Sequence, residues 1–83
     1  MEYIKYRGYY IGQGPNDFHS RDEIDAFIRG QMVRRLQTVI GQMLQYTDAD
    51  QIMAASLEAD RIEQQMHADG MSWEEIEAAE IPA

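Results

Sequence analysis

The residues best suited to acid–base chemistry in this sequence are its two histidines, His19 and His67. His19 stands next to a helix-start signal and His67 near the end of a predicted helix. Neither has the serine and carboxylate spacing that suggests a catalytic triad. A histidine near a helix C-terminus is explained by its favourable interaction with the helix dipole. We therefore expect no catalytic residues, no cofactor and no enzymatic activity.

Metal binding is the next chemistry to weigh, because Asp48 and Asp50 open the segment DADQIMAASLEA. An EF-hand loop needs a glycine at its sixth position, and this segment has none there. Helix capping accounts for both aspartates without a metal. The chain contains no cysteine, which excludes disulfides and thiolate metal ligands. The sequence therefore predicts no metal site.

The formal charge of -8 is distributed unevenly along the chain. Residues 1–46 contain five acidic and six basic side chains, a net charge of +1. Residues 47–83 contain ten acidic side chains and a single base, Arg61, a net charge of -9. A half with this charge repels nucleic acid and anionic lipid and attracts basic protein surfaces. The sequence leaves an alternative open, in which the acidic half is a solvated helix surface that only keeps the protein soluble.

Apolar periodicity and capping signals predict a mostly α-helical fold with a short N-terminal β element. The tyrosine-rich segment YIKYRGYYIG indicates one strand, or a hairpin that turns at Arg7 and Gly8. A capping box at Ser20 and Glu23 starts a long helix, and Thr47 caps a second helix that folds back as a helical hairpin. A further capping box starts a short last helix. The predicted single domain, 1–83, consists of a β element and loop at 1–19 and helices at 20–46, 47–69 and 72–81.

Each of the two long predicted helices carries an apolar stripe. In so short a chain the two helices cannot bury both stripes completely against each other. We therefore expect a homodimer built around helix pairs. The residues predicted for the core or the dimer interface are Ile24, Phe27, Ile28, Leu36, Ile40, Ile62 and Trp73.

The segment DRIEQQMHADGMSWEEIEAAE, residues 60–80, resembles the helix-turn-helix family of DNA-binding proteins. The resemblance implies that the helix after the glycine turn reads DNA. That helix carries Glu74, Glu75 and Glu77, whereas phosphate contacts normally use lysine and arginine. A local helical hairpin is therefore the preferred interpretation. Single-stranded nucleic acid could stack on the tyrosines beside Lys5 and Arg7, but two bases are few for a binding channel.

In size, acidity and layout the chain resembles the small proteins of phages and mobile elements, among them the anti-CRISPR inhibitors. The layout is a short tyrosine-rich strand, then FHSRDEIDAFI, then polar helices. The resemblance extends over the whole chain without a diagnostic motif. It implies a non-catalytic inhibitor that blocks the nucleic-acid site of a host protein. No apolar run approaches the roughly 20 residues that span a bilayer, so we expect a cytoplasmic location.

The charge split predicts that the partner is a protein with a basic surface, as nucleic-acid-handling complexes have. The predicted contacts are carboxylates of the second half: Asp48, Asp50, Glu58, Asp60, Glu63, Glu74, Glu75 and Glu77.

Two alternatives belong to other functional classes. A small DNA-binding transcriptional regulator would use the bases of the first half, which are Lys5, Arg7, Arg29, Arg34 and Arg35. A dimeric structural or assembly adaptor would instead depend on apolar residues such as Leu36 and Ile62.

Overall fold

The computed structural model describes residues 3–80 and has the predicted fold class, mostly α-helical with a short N-terminal β element. Its strands are β1 (Ile4–Tyr6) and β2 (Tyr9–Ile11). Its helices are α1 (Arg21–Gln45), α2 (Ala49–Ala68) and α3 (Trp73–Ala79). The prediction of two long helices followed by a short one is confirmed. Its last position, residue 81, lies outside the described residues.

The β element is a hairpin and not a single strand. β1 and β2 pair antiparallel, and the chain turns at Arg7 and Gly8, whose φ angles are 53° and 85°. A two-residue turn with positive φ at both positions matches the right-handed twist of the strands. Glycine adopts such a φ without steric cost, which explains why the turn falls at Gly8. Beyond the hairpin, Ile11 forms an isolated parallel bridge with Phe18.

Helix α1 begins where the signal at Ser20 and Glu23 predicts. The Ser20 hydroxyl accepts a hydrogen bond from the Glu23 backbone N–H at 3.2 Å, which is one half of a capping box. The Glu23 carboxylate accepts from the backbone N–H of His19 at 2.7 Å, one residue earlier than the predicted box requires. The Glu23 carboxylate thus stabilises the loop before α1 and does not bond to the N–H of the cap residue, Ser20.

Helix α2 is capped by Asp48 and not by Thr47, which corrects the prediction. Asp48 has an extended backbone, with φ -85° and ψ 128°, and its carboxylate accepts from the Asp50 N–H at 3.4 Å. Aspartate and threonine both suit this position, and a carboxylate also interacts favourably with the helix dipole. At the other end, Gly70 has a φ of 96°, the conformation in which chains commonly leave a helix.

Helix α3 has the predicted capping box in full. The Ser72 hydroxyl accepts from the Glu75 N–H at 3.2 Å, and the Glu75 carboxylate accepts from the Ser72 N–H at 3.2 Å. Two orphan backbone donors are therefore satisfied at the start of a helix of only 7 residues.

The contacts of the chain divide it into two compact units, one up to Gly30 and one from Gln31 onwards. In the first unit, the rings of Tyr9, Phe18 and Phe27 contact one another with centroids 5.3–5.6 Å apart. Helix α1 contributes residues to both units, and the single domain stays a prediction. The core side chains of the second unit are Met32, Leu36, Val39, Ala55, Ala59, Ile62, Met66, Met71 and Ile76.

Most residues predicted for the core are shielded from solvent. Ile24, Leu36 and Ile62 are buried, and Ile28 and Ile40 are half-buried. Whether any of them also forms a dimer interface stays a prediction.

Phe27 and Trp73 are more exposed than the other residues of that set, with 39% and 47% of their surface exposed. Phe27 contacts Tyr9 and Phe18 with one side of its ring. Trp73 stacks on the His67 ring, with centroids 4.2 Å apart and an interplanar angle of 18°. Each aromatic ring therefore covers a neighbour with one side and leaves much of its surface exposed.

Candidate protein-binding surface

The predicted contact carboxylates lie at one end of α2, along α2 and on α3. Asp48 caps α2, and α3 carries Glu74, Glu75 and Glu77. The remaining four lie on α2. All of the eight side chains are exposed except that of Glu63, which is half-buried.

None of these eight carboxylates pairs with an arginine or lysine within residues 3–80. By contrast, in the first unit Asp25 accepts from the Arg7 guanidinium at 2.8 Å. The negative charge of these eight carboxylates is therefore not neutralised by ion pairs with the basic side chains of residues 3–80.

The carboxylates of α2 do not share one face of the helix. Asp60 and Glu63 lie in a groove between α1 and α2, which we call the carboxylate groove. Glu58 lies in a different groove, together with Arg34 and Arg35 of α1. The carboxylate groove is lined by Ile40, Met43, Ser56, Ala59, Asp60, Glu63 and Glu80.

Glu63 is electrostatically the most perturbed residue of the carboxylate groove. Partial burial, a hydrogen bond with the Glu80 carboxyl and the negative charges of Glu80 and Asp60 together raise the pKa of the Glu63 carboxyl to about 7. A neighbouring carboxylate and partial burial both disfavour the charged form of Glu63, so Glu63 retains its proton towards neutral pH. The α1 residues of the groove, Ile40 and Met43, are apolar and offer no compensating charge.

Helix α3 presents its acidic residues opposite its buried side. At 100° per residue, Glu74, Glu75 and Glu77 lie on the solvent side and Ile76 lies on the other, where it is buried. The Glu75 carboxylate also accepts hydrogen bonds from Ser72 as part of the capping box. Among residues 3–80, the side chains of Glu74 and Glu77 find no hydrogen-bond or ion-pair partner.

The sequence prediction missed Glu80, which completes the carboxylate groove. Glu80 is the C-cap residue of α3, four positions after the buried Ile76. Residues four apart lie on the same face of a helix, so this spacing was the available signal. The spacing of Ile76 and Glu80 places Glu80 in the groove only if α3 is known to pack on α2.

The basic residues of the first unit are partly committed to contacts within that unit. The Asp25 carboxylate accepts from Arg7 and from the Tyr6 hydroxyl, at 2.8 and 2.9 Å. The Arg7 and Tyr6 bonds lower the pKa of Asp25. Lys5 lies 5.8 Å from the centroid of the Tyr10 ring, so that ring face already has a cation beside it.

Both histidines bond to backbone carbonyl groups. His19 Nε2 lies 2.8 Å from the Gly14 oxygen, and His67 Nδ1 lies 3.1 Å from the Met71 oxygen. These contacts give each histidine a structural role in a loop or a helix end.

Residues 3–80 contain no cluster of three potential metal ligands and no helix long and apolar enough to cross a membrane. Comparisons with protein-family models, with curated proteins and with solved structures find no significant match to this chain.

Proposed function

We propose that this chain is a non-enzymatic acidic binding module that occupies a basic, nucleic-acid-binding surface of a partner protein. The observation that carries the proposal is the set of eight exposed or half-exposed carboxylates without basic partners among residues 3–80. Unpaired surface charge of one sign attracts an oppositely charged surface and speeds the encounter. An inhibitor of the anti-CRISPR type, acting in the cytoplasm, is the class of protein that this chemistry fits.

Helix α3 approaches the charge density of a nucleic acid more closely than α2 does. From Glu74 to Glu77 three exposed carboxylates occupy about 4.5 Å at 1.5 Å per residue, one per roughly 2 Å. From Asp50 to Glu63 the net charge is -3 over about 20 Å, one per roughly 7 Å. Duplex DNA carries one charge per about 1.7 Å of its axis. The outer face of α3 is therefore the proposed centre of the contact.

The experiment is affinity capture from host cell lysate at about 0.1 M and about 1 M salt, with mass spectrometry of the bound proteins. Wild type is compared with Glu74→Lys/Glu77→Lys and with a control, Asp22→Lys, which reverses an exposed carboxylate in the first half. We expect a basic nucleic-acid-binding protein that wild type and the control capture and that the α3 variant loses. Capture that survives Glu74→Lys/Glu77→Lys unchanged contradicts the proposal.

A dimeric adaptor is the second candidate, and the exposure of apolar residues on α2 favours it. Met53 and Leu57 are exposed on the surface of this chain. Because Leu36 and Ile62 are buried within the chain, the adaptor is tested at the exposed residues: it would lose its assembly when Met53 or Leu57 is made polar and would tolerate charge reversal on α3. A DNA-binding regulator has less support, because Arg7 is engaged with Asp25. Tight duplex binding in a low-salt gel shift would favour the regulator instead.

A further inference from the structure

The first half of α2 carries an apolar stripe that no described side chain buries. Its residues recur at intervals of three and four, line a shallow groove of about 390 Å³, and include Met53 and Leu57, which are 66% and 60% exposed. The buried residues of α2, such as Ala59 and Ile62, lie roughly 120° away around the helix axis. Helix α2 is therefore apolar on two faces. We call the exposed set the apolar stripe; it consists of Ala49, Ile52, Met53, Ser56 and Leu57.

Acidic residues stand at both ends of the apolar stripe. Asp48 precedes it and Asp50 lies in its first turn, and Asp60 and Glu63 follow within two turns. Arg61 is the single base of α2, so the charge around the stripe is net negative. Ser56 lines both the apolar stripe and the carboxylate groove, so the two surfaces are continuous.

This combination of charge and apolar surface selects among the occupants. A second copy docking face to face would place the same four carboxylates against each other, since a two-fold interface uses the same patch twice. Nucleic acid and anionic lipid are repelled by the same charge. A helix with apolar residues at intervals of three and four and with flanking lysines or arginines complements both properties.

We propose that the apolar stripe docks a basic amphipathic helix of the partner, whose apolar side chains contact Met53 and Leu57 and whose bases meet the surrounding carboxylates. This inference rests on the proposed function and names the chemistry of the partner at that surface. Methionine suits such a contact because its unbranched, polarisable side chain adapts to the surface it meets. Binding then has a salt-sensitive electrostatic part and an apolar part that salt does not screen.

The test uses two fluorescently labelled synthetic peptides of leucine and lysine, each of about 18 residues, or five helical turns. One peptide has leucine at intervals of three and four. The other has the same composition, but its leucines are rearranged so that they do not fall on one face of a helix. Fluorescence anisotropy at about 0.15 M salt measures both affinities. Wild type should bind the striped peptide about tenfold more tightly than the permuted one, a difference typical of an interface with good apolar anchors.

The double variant Met53→Gln/Leu57→Gln should lose that tenfold ratio and bind both peptides alike. Because both side chains are exposed, its circular dichroism spectrum should match that of wild type. Leu44→Gln is the matched control, since Leu44 is 76% exposed and lies outside the apolar stripe. The control should retain the ratio.

Each contrary outcome has a distinct meaning. Equal affinity for both peptides in wild type overturns the docking of a helix and leaves the acidic binding module standing. Affinity for both peptides no greater than for an uncharged peptide overturns the docking and the proposed function together. Sedimentation that shows a wild-type dimer, dissociated by Met53→Gln/Leu57→Gln, assigns the stripe to a second copy and also overturns the inference.

Discussion

The raised pKa of Glu63 predicts that this protein loses stability as pH rises from about 4.5 to about 7. The folded chain holds a proton on Glu63 up to a pH of about 7, whereas the unfolded chain releases it near the ordinary value of 4.5. Between these values the folded state binds more protons than the unfolded state, so the free energy of unfolding falls with increasing pH. Above about pH 7 the loss is complete, because both states are then deprotonated.

The magnitude follows from the size of the shift and the exposure of the side chain. The difference between a pKa of about 7 and the ordinary value of 4.5 corresponds to a change of at most ~3.4 kcal/mol in the free energy of unfolding. Glu63 is only half-buried, and screening by solvent leaves on the order of 1 kcal/mol. Glu63→Gln keeps a hydrogen-bond donor facing Glu80 and removes the titration. The free energy of unfolding of Glu63→Gln should therefore exceed that of wild type by about 1 kcal/mol above pH 7.

Urea unfolding monitored by circular dichroism at several pH values from about 4 to about 8 measures this effect. Glu58→Gln is the matched control, because it removes a carboxylate from the same helix but lies outside the carboxylate groove. Only Glu63→Gln should flatten the fall in stability across the window. Equal pH profiles for the two variants would refute the assignment of the proton to Glu63.

Three further predictions concern the fold. Gly41→Ala should raise the free energy of unfolding by about 0.5–1 kcal/mol in urea titration, because Gly41 lies within α1 and an added Cβ meets no atom within 4 Å; a loss of stability would contradict this placement. Ser72→Ala should lower it by about 1 kcal/mol through loss of the capping box, and an unchanged midpoint would show that the box contributes nothing. Because the pKa of Asp25 is lowered, its contribution is present above the ordinary value of 3.8 and is lost as pH falls below it. Asp25→Asn, but not the control Asp22→Asn, should therefore speed hydrogen exchange of the hairpin amides at neutral pH, and equal rates would count against the contact.

The helices were predictable from sequence because their start signals are local. Ser72 and Glu75 need only each other to form a capping box, so the start of α3 could be read from four residues. The choice between one strand and a hairpin was not local in this sense, since it depends on whether Arg7 accepts a positive φ. The α2 cap moved from Thr47 to Asp48 because both residues can cap.

The candidate surface was less predictable than the helices because it depends on tertiary packing. The charge of each carboxylate is evident in the sequence, and so is the absence of bases after Arg61. The separation of Glu58 from Asp60, and the meeting of Glu63 with Glu80, arise only when α2 packs between its neighbours. The exposure of Met53 and Leu57 also depends on packing, because it is set by which face of α2 contacts its neighbours.

Under the proposed function, the carboxylates of α2 and α3 occupy the surface with which the partner binds nucleic acid. The most direct measurement is displacement of a labelled oligonucleotide from the captured partner by the purified chain. We expect wild type to displace it at about 0.1 M salt and to do so less well at about 0.5 M, and we expect Glu74→Lys/Glu77→Lys to fail at both. An oligonucleotide that stays bound while the chain also binds the partner would contradict the account.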